Sequence, residues 1–401
     1  MTDAILVINA GSSSVKFACL AIGGATKIPR LVHRGVIGNI GAQAYFRVSH
    51  QDNLPTVDAK RRVVQATQHE EALALLFGWL ETQAADLRFV AAGHRVVHGA
   101  DRFCAPVLID AEILDRLEEL VPLAPMHQPY NLAGIRAVNV VRPELPQVAC
   151  FDTAFHQSQP AIARLFALPR ALTEAGIKRY GFHGLSYEHI VHTLPDYLGD
   201  RADGRVVVAH LGNGASMCAI KQGRSLASTM GFSVLDGLPM GTRCGTLDPG
   251  VILHLLATRE MTVAEVTDLL YHKSGLLGVS GLSGDMQELL PNQSVDAALA
   301  VQLFVYQIGR ELGSLAAALG GVDALIFTGG IGENAAEIRS RICHEASWLG
   351  IDIDTAANNR GGPAISTASS TVPVWVIPAN EEQVIANHTL SLIPKTAPST
   401  K

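Results

Sequence analysis

A strand–turn–strand pattern occurs twice in this chain, once near its start and once just past its middle. Residues 5–17 read ILVINAGSSSVKF, and residues 206–220 read VVVAHLGNGASMCAI. In each copy, an apolar strand ends at a small polar turn and a second apolar strand follows. Glycine lets such a turn approach a ligand closely, while serine, asparagine and lysine supply donors and positive charge. Each copy therefore predicts a β-hairpin suited to phosphate, with a plain polar-tipped hairpin as the alternative.

Each hairpin is followed, much later in the chain, by another apolar strand that leads to an acidic residue. Residues 148–152 read VACFD, and residues 374–381 read VWVIPANE. The pattern indicates a duplication into two like lobes, each offering a phosphate hairpin and a carboxylate to a cleft between them. Ligand sites concentrate in such clefts. We therefore expect an active site in the interdomain cleft, with lobes at 1–150 and 151–380 and the first lobe completed by a helix at 381–401.

Composition agrees with two globular domains and excludes several classes of protein. A chain of 401 residues exceeds what one core organises, and its 48% hydrophobic residues supply material for two cores. The net charge of −6 leaves no basic surplus to neutralise nucleic acid, and no apolar run approaches the roughly 20 residues that cross a bilayer. The six cysteines form no C-x-x-C pair, which favours buried thiols in a reducing compartment. We expect a cytoplasmic protein that binds neither nucleic acid nor membrane.

Strand and helix patterns alternate along the chain, which predicts an α/β fold. Helices are expected at 68–83, 110–120 and 130–141, with an exposed hairpin or loop at 47–62. The clearest predicted helix spans 295–319, because its apolar residues share one face and two glycines follow it. Residues 231–250 are rich in Gly, Pro, Thr and Arg, which is typical of a long functional loop.

A glycine-rich segment follows the strand predicted at 324–327. Residues 328–334 read TGGIGEN, and another helix is predicted after them. A strand, a turn and a helix in this order place backbone N–H groups where a nucleotide binds. The segment matches neither G-x-G-x-x-G nor the P-loop pattern, so it predicts an adenosine site of another kind. A tight connection without a ligand is the alternative.

Two arginines and several histidines lie in segments bounded by glycine, proline or apolar residues. Arg95 and Arg243 stand among small or apolar neighbours, where a guanidinium needs a partner such as a carboxylate or a phosphoryl oxygen. A buried structural ion pair is the alternative for each arginine. His127 and His183 occupy similar turns, where a lone histidine is more often structural. Taken together, these cations indicate a site for an anionic substrate.

Eight segments together resemble the signature motifs of the acetate kinase family, in order and across nearly the whole chain. They are NAGSSSVK at 9–16, HRVVHG at 94–99, FDTAFH at 151–156, YGFHGLS at 180–186, HLGNGAS at 210–216, GTRCG at 241–245, GGIGEN at 329–334 and NEE at 380–382. The resemblance implies the duplicated two-domain, actin-like fold that acetate and sugar kinases share with Hsp70 and actin. It also implies a homodimer that transfers the ATP γ-phosphate reversibly to acetate, giving acetyl phosphate and ADP for acetyl-CoA biosynthesis.

The resemblance further implies roles for individual residues of this chain. The catalytic set comprises Asn9, Lys16, Arg95, Asp152, His183 and Arg243, and Asn9 and Glu381 would hold Mg²⁺ or Mn²⁺. The phosphate loop comprises His210, Leu211, Gly212, Asn213 and Gly214. ATP or ADP would also contact Asp285, Met286, Gln287, Gly330, Ile331, Gly332, Glu333 and Asn334. Acetate would bind Arg95, with its methyl group packed on Val97, Met126, Phe182 and Val234.

The chain departs from the family's usual pattern at four of its positions. The family commonly has leucine at 126, proline at 234, a basic residue at 287 and aspartate at 246, where this chain has Met126, Val234, Gln287 and Thr246. The first two departures bear on the preferred acyl chain. The third bears on the adenine site.

The chemistry of a carboxylate acceptor fits these residues without the family. A carboxylic acid is ionised at neutral pH, so the acceptor needs no general base. The charge must instead be managed, because an anion approaches a polyanionic γ-phosphate and the transition state spreads charge over three oxygens. Arg95 and Arg243 are suited to hold the acetate and the transferring group, and His183 is suited to donate to an equatorial oxygen. Asp152 either shares the metal with Glu381 or orients an arginine or Asn9.

Three other functions remain open from the sequence. The nearest is a kinase for a longer acid such as propionate or butyrate, since one methylene discriminates by only about 1–3 kcal/mol. A sugar or polyol kinase would need a catalytic base, and the two arginines argue against its neutral acceptor. An actin- or Hsp70-type ATPase would hydrolyse ATP with no response to carboxylates.

Overall fold

Each of two structural units is built around one mixed β-sheet. A computed structural model describes residues 1–23, 28–50 and 62–393 of the chain. Unit 1 comprises Met1–Ala154 and a second segment that begins at Asn380, while unit 2 is Phe155–Ala379. Among the described residues, no helix is long and apolar enough to cross a membrane. The prediction of an α/β fold is confirmed.

Unit 1 contains an eight-stranded sheet in the order β5-β4-β3-β2-β1-β6-β8-β7. Its strands are β1 (Thr2–Ala10), β2 (Ser14–Ala21), β3 (Arg30–Gly38), β4 (Tyr45–His50), β5 (Arg62–Val63), β6 (Leu87–Val96), β7 (Val107–Leu108) and β8 (Gln147–Phe151). Its helices are α1 (His69–Gln83), α2 (Ala111–Glu118), α3 (Gln128–Val141) and α14 (Glu381–Leu392). Helix α14 packs against β1, β6 and β8, so the second segment supplies part of the cover of this sheet.

Unit 2 contains a five-stranded sheet in the order β11-β10-β9-β12-β13. Its strands are β9 (Arg205–Leu211), β10 (Ala215–Lys221), β11 (Arg224–Ser228), β12 (Ala324–Thr328) and β13 (Val374–Val376). Its helices are α4 (Arg170–Glu174), α5 (Gly184–Leu198), α6 (Pro249–Ala257), α7 (Val263–His272), α8 (Gly275–Ser280), α9 (Met286–Leu289), α10 (Val295–Leu319), α11 (Gly329–Asn334), α12 (Ala336–Glu345) and α13 (Thr355–Asn359). The long apolar face of α10 packs against β9, β10 and β11.

The two sheets share one topology, which confirms the predicted duplication. In unit 1, β1 pairs antiparallel with β2 and parallel with β6, and β6 pairs parallel with β8. In unit 2, β9 pairs antiparallel with β10 and parallel with β12, and β12 pairs parallel with β13. Parallel strands end at one edge of a sheet, so each hairpin turn lies at the same edge as the end of its parallel neighbour.

Helix boundaries agree with the sequence patterns to within a few residues. Helix α10 spans the predicted 295–319 without a shift, because Ser294 caps its start and Gly320 takes a left-handed conformation at its end. Helix α3 begins two residues before the predicted 130, since Pro129 fits the first turn of a helix. Strand β4 occupies the start of the polar segment predicted at 47–62, and residues 51–61 lie outside the described part.

Two sequence predictions are wrong in detail. Residues 329–334 form helix α11 directly after β12 instead of a turn. Two features of this helix start require glycine at 329. Its φ of +78° is a left-handed conformation that glycine adopts readily, and a Cβ there would lie 2.8 Å from the Leu211 carbonyl oxygen. The expectation that each lobe supplies its own strand-end acid is also wrong, because the chain leaves unit 2 after Ala379 and Glu381 begins α14 in the same unit as Asp152. This position agrees with the assignment of a helix at 381–401 to the first lobe.

The close approach of α14 to β6 gives a test of the packing in unit 1. A Cβ at Gly93 would lie 2.3 Å from Thr389 Oγ1 and 2.6 Å from Ile385 Cγ2, both on α14. Gly93→Ala should therefore lower the free energy of unfolding by about 1–3 kcal/mol through overpacking. Gly78→Ala is the matched control, because its Cβ would meet nothing within 4 Å on exposed α1 and should raise stability by about 0.5–1 kcal/mol. Urea unfolding measures both, and equal stabilities would contradict this packing.

Candidate active site

Register at the two hairpin turns places polar side chains opposite one another. In unit 1, Asn9 of β1 pairs with Lys16 of β2, and the Gly11 amide donates to the Ser14 carbonyl over 2.8 Å. In unit 2, His210 of β9 pairs with Ser216 of β10 at the equivalent step of the ladder. Side chains of paired residues project from the same face of a sheet. Each turn therefore carries a polar pair one step behind its tip.

Arg95 is the centre of a charged cluster in unit 1. It lies near the end of β6, and Asp152 directly follows the neighbouring β8. Arg95 Nη2 donates to Asp152 Oδ2 over 2.5 Å, and Nε donates to Oδ1 over 3.1 Å. Arg95 Nη1 donates to Asn9 Oδ1 at 3.4 Å, and Glu381 Oε2 lies 3.9 Å from Nε. Predicted residues that are far apart in sequence are thus brought together.

The hydrogen bonds of Asp152 agree with one of the roles that the sequence left open for it, that of orienting an arginine. Both of its oxygens accept from Arg95, in the bidentate arrangement that fixes a guanidinium plane. The Asp152 side chain is 1% exposed, whereas that of Arg95 is 21% exposed. Asp152 therefore orients the arginine from the buried side, while the arginine retains contact with solvent.

Burial and charge oppose each other in this cluster. Burial alone lowers the pKa of Arg95, but the charges of Asp152 and Glu381 outweigh it, so the pKa is raised above its ordinary value. The pKa of Glu381 is raised above its ordinary value. Burial is the largest cause and the charge of Glu382 adds to it, while the cations Arg95 and Lys16 act in the opposite direction. A further cation beside Glu381 would favour its ionised form. Glu381 and Asn9 offer the carboxylate and amide oxygens that Mg²⁺ accepts, so these residues fit a divalent ion.

Two buried polar residues of α3, which sequence reasoning missed, fix the backbone of this cluster. Asn131 Nδ2 donates to the Ala10 carbonyl over 2.7 Å, and Asn131 Oδ1 accepts from the Val97 amide over 3.0 Å. One turn earlier, Gln128 Oε1 accepts from the His98 amide over 3.3 Å. Asn131 therefore ties the end of β1, next to Asn9, to the residues that follow Arg95. Two amide side chains three residues apart in an apolar helix are the sequence signal for this role.

His183 lies between the start of α5 and the hairpin of unit 2. Its backbone is left-handed, with φ +58°, a conformation that non-glycine residues rarely adopt. Its Nδ1 lies 2.8 Å from Ser216 Oγ, and its ring stacks on His210 with centroids 4.4 Å apart. His210 Nδ1 in turn lies 2.8 Å from Ser186 Oγ. Both histidine rings are thus held at defined positions beside the turn.

Arg243 and His183 converge on Gly214 at that turn. A Cβ on Gly214 would lie 2.7 Å from Arg243 Nη2 and 3.4 Å from His183 Nε2. Arg243 is anchored by its Nη1, which donates to the Val234 carbonyl over 2.7 Å. A larger residue at 214 would therefore require the Arg243 guanidinium to shift away from the turn. The predicted residues His183, His210, Gly214 and Arg243 form one cluster in unit 2.

A cavity of about 410 Å³ opens beside this hairpin within unit 2. The volume suits a small-molecule ligand. Eight of the predicted nucleotide residues line it: Gly212, Asn213, Asp285, Met286, Gln287, Gly330, Ile331 and Asn334. Leu290 and Ala335 line it as well and were not predicted.

The five other predicted nucleotide residues lie outside the lining of this cavity, and two of them, His210 and Gly214, belong to the cluster described above. Leu211 and Gly332 are buried in the sheet and in α11. Glu333 Oε1 accepts from the amides of Gly329 and Ala379, each over 3.0 Å. It therefore connects the start of α11 to the segment that follows β13. These three residues support the cavity wall from behind.

The four residues predicted to surround a methyl group are divided between the units. Val97 is buried and Met126 half-buried in unit 1, while Phe182 and Val234 are buried in unit 2. The hydrogen bond from Arg243 to residue 234 goes to the backbone carbonyl of Val234. The proline that is common in the family at this position would supply the same acceptor.

The structure gives a physical reason for threonine at 246. Thr246 Oγ1 donates to Asp236 Oδ1 over 3.0 Å, and Asp236 also pairs with Arg179 at 3.2 Å. Aspartate at 246 would set a second carboxylate beside Asp236, which like-charge repulsion disfavours.

His156 gives a test of how unit 2 depends on pH. Its Nε2 lies 2.9 Å from the Phe182 carbonyl oxygen, and burial lowers its pKa to about 4. The ordinary histidine value of about 6.5 applies to the unfolded chain, so the unfolded chain binds more protons between the two values. Stability from the neutral ring is present above pH 6.5 and is lost as the pH falls towards 4.

We therefore expect His156→Asn to flatten the loss of unfolding free energy between pH 7 and pH 5 by roughly 1–2 kcal/mol. Urea unfolding at both pH values measures this difference. Exposed His344→Asn controls for the loss of a histidine as such. An unchanged pH slope in His156→Asn would contradict the neutral, buried state of this ring.

Comparison with known proteins gives consistent results over nearly the full length. Residues 4–387 match the sequence profile described as the Acetokinase family. An acetate kinase of Rhodopseudomonas palustris is 53% identical over 97% of this chain and 98% of its own length, and one of Methylocella silvestris is 48% identical over 99% and 100%. Among solved structures, a propionate kinase from Francisella tularensis superposes with TM-score 0.89 at 36% identity, covering 98% of this chain and 100% of its own. The acetate kinase of Porphyromonas gingivalis reaches 0.85 at 34%, with the same coverage.

Proposed function

The chain belongs to the acetokinase family, and we propose that it transfers the γ-phosphate of ATP reversibly to acetate, giving acetyl phosphate and ADP. The observation that carries the proposal is the convergence of His183 Nε2 and Arg243 Nη2 on the Gly214 turn, beside the 410 Å³ cavity. Two donors of this kind at a hairpin turn suit a transferring phosphoryl group, whose charge grows on its equatorial oxygens. The cavity beside them suits the nucleotide that supplies the group.

Arg95 is suited to bind the acceptor carboxylate. Its guanidinium plane is fixed by both oxygens of Asp152, and its side chain retains 21% exposure. The carboxylate arrives already ionised, so no residue has to remove a proton from it. Arg95 instead offsets the repulsion between the acceptor and the phosphates and sets the direction of attack.

The phosphoryl group would be held by unit 2. Arg243 donates from a guanidinium anchored on the Val234 carbonyl, and His183 donates from a ring fixed by Ser216 and His210. Both donors approach the Gly214 turn, whose backbone N–H groups are further candidate donors to the phosphate. Donors that are placed before the reaction starts need no reorganisation in the transition state.

A divalent ion completes the proposed site. Glu381 and Asn9 would hold Mg²⁺ or Mn²⁺, and Lys16 lies opposite Asn9 in the hairpin. When bound with ATP, such an ion neutralises charge on the phosphate oxygens. Magnesium needs only one or two protein oxygens besides phosphates and water. Among the described residues there is no cluster of three or more His, Cys, Asp or Glu that would hold a metal without a substrate.

We also place the reaction in the cytoplasm. The six cysteines form no disulfide bonds with one another, and four of them, Cys19, Cys150, Cys218 and Cys343, are buried. Burial raises the pKa of Cys218 and Cys343 to about 12, which keeps these thiols unreactive. A chain with this many cysteines outside disulfide bonds suits a reducing compartment.

The proposed reaction is tested by trapping its product. With ATP, magnesium and acetate, wild-type protein should form an acyl phosphate that hydroxylamine captures as the hydroxamate. Arg95→Ala and Arg243→Ala should each lower kcat about 100- to 1,000-fold, because each removes donors to a reacting group. Arg88→Ala and Arg205→Ala are matched controls, since these arginines pair with Asp3 and Asp323 away from the two clusters.

The same assay separates the alternative functions. A propionate or butyrate kinase is the nearest alternative, which the superposition on a propionate kinase and the side chains of Met126 and Val234 favour. Equal or higher kcat/KM on propionate would replace acetate as the substrate. ATP turnover that responds to no acid and yields no hydroxamate would overturn the kinase proposal in favour of an ATPase.

A homodimer is the second part of the proposal. Helix α6 reads PGVILHLLA, yet none of its residues is buried, and Val251 and Leu253 are 40% and 65% exposed. An apolar helix left at the surface of a monomer is typical of an interface, and we propose that a second copy of this chain covers it.

Sedimentation velocity tests this assembly. The 42.6 kDa chain should sediment as a dimer, and Leu253→Glu should shift it towards the monomer, because the change sets a charge in an apolar interface. Val140→Glu is the matched control, since Val140 is an isolated residue, 81% exposed, on α3. A monomeric wild type, or a Leu253→Glu protein that remains fully dimeric, would contradict the use of α6.

A further inference from the structure

Two buried hydroxyl groups stand in line behind the ring of His183. Ser216 Oγ lies 2.8 Å from His183 Nδ1, and Tyr187 OH lies 2.5 Å from the same Ser216 Oγ. The side chains of Ser216 and Tyr187 are both completely buried. Ser216 belongs to β10 and Tyr187 to the first turn of α5, so two elements of unit 2 meet at this ring.

The burial of the tyrosine fixes the direction of the hydrogen bonds. Burial raises the pKa of Tyr187 well above its ordinary value, so the phenol keeps its proton. That proton points to Ser216 Oγ, the hydrogen-bond partner that the structure gives this hydroxyl. Ser216 has one proton of its own, and with the phenol donating to it, that proton is directed to His183 Nδ1. Reversing the order would leave the buried phenol proton without Ser216 Oγ as its acceptor, which is unfavourable in a site closed to water.

We propose that Tyr187 and Ser216 are positioning residues that hold His183 as the neutral tautomer with its proton on Nε2. Nδ1 accepts from Ser216, and a neutral imidazole then carries its single proton on the other nitrogen. Nε2 is the atom that approaches the Gly214 turn, 3.4 Å from the position of a Cβ there. The inference deepens the proposed function and rests on it in one respect: Nε2–H is the donor to the phosphoryl oxygen.

The groups around His183 agree with a neutral ring. Arg243 Nη2 approaches the same turn, and His210 stacks on the imidazole. Cys218 lies next to Tyr187, and burial raises its pKa to about 12, so it remains an uncharged thiol. A proton added to His183 Nδ1 would have to donate to Ser216 Oγ, which would then accept from both the imidazole and the phenol, and the buried serine proton would lose the imidazole as its acceptor. The line of hydroxyls and the nearby guanidinium therefore both oppose protonation of this ring.

A fixed tautomer matters because the other one has no donor at Nε2. With the proton on Nδ1, the ring would present a lone pair to an anionic phosphoryl group and repel it. The strained backbone of His183, with φ +58°, and its stacking on His210 place the ring, but neither selects the tautomer. The hydrogen bonds of Ser216 and Tyr187 select the tautomer of His183.

The tautomer is measured by ¹⁵N NMR on protein labelled only at histidine, with the His183 signal assigned by its loss in His183→Asn. In the wild type, we expect His183 with Nε2 protonated and Nδ1 acting as acceptor. Tyr187→Phe keeps the ring packed but removes the donor to Ser216 Oγ, so that the serine can accept from Nδ1 and the spectrum should show a mixture of tautomers. Tyr180→Phe is the matched control, since it removes another largely buried phenol that donates to the Gly176 carbonyl.

Kinetics supply the second measurement. Tyr187→Phe should lower kcat about tenfold and leave KM for ATP and acetate unchanged, because the lost donor acts in the transition state. A wild-type His183 protonated on Nδ1 would overturn the inference. So would a Tyr187→Phe protein that matches Tyr180→Phe in both spectrum and kcat. The spectrum does not depend on turnover, so a wild type with the expected tautomer but no acyl phosphate would refute the proposed function alone.

Discussion

Antiparallel pairing at the two hairpin turns determines which side chains stand at the ligand end of each sheet. The ladder sets Asn9 opposite Lys16 in unit 1 and His210 opposite Ser216 in unit 2. Because side chains alternate between faces, a slip of one residue in β2 would turn Lys16 into the core that Val15 and Phe17 now fill. The contacts of Asn131 with Ala10 and of His183 with Ser216 act on strands whose register is already set. Each site cluster therefore depends first on backbone pairing and only then on side-chain chemistry.

The sequence offered two alternative roles for Arg95, a binding residue for an anionic substrate or a partner in a buried structural ion pair. The Arg95–Asp152 pair has features of both. It is a buried ion pair in the sense that Asp152 is enclosed and bound by both of its oxygens. Such pairs contribute little net stability, because desolvation offsets most of their attraction. Its arginine nevertheless retains a solvent-facing edge and lies beside Asn9 and Glu381. The pair thus holds one charge in a fixed orientation, which suits a binding role better than a stabilising one.

Sequence patterns predicted the parts of the molecule that depend on local periodicity and on repetition. Helix α10 and both hairpins follow from apolar spacing and turn residues, and the repeated order of the hairpins predicted two sheets of one topology. Contacts between residues far apart in the sequence were predicted less well. The pattern around Glu381 resembles that around Asp152 and suggested one acid for each lobe, although the helix that begins at 381 was itself assigned to the first lobe, where the structure has it. Ser216 stands where the first hairpin has Lys16, so the repeat marked its position but not its contact with Tyr187.

Unit 1 is assembled from segments that the ribosome makes at very different times. Strand β6 is covered by α14, with Ile385 and Thr389 against Gly93, yet residues 381–392 are synthesised only after all of unit 2. A domain at the start of a chain ordinarily folds first during synthesis. Here the order is reversed: unit 2 is continuous in sequence and has all its strands before β6 gains its cover. Arg95, carried by that strand, acquires Glu381 in the same late step. Nascent chains therefore hold an incomplete first unit until α14 emerges, and the charged cluster around Arg95 is complete only then.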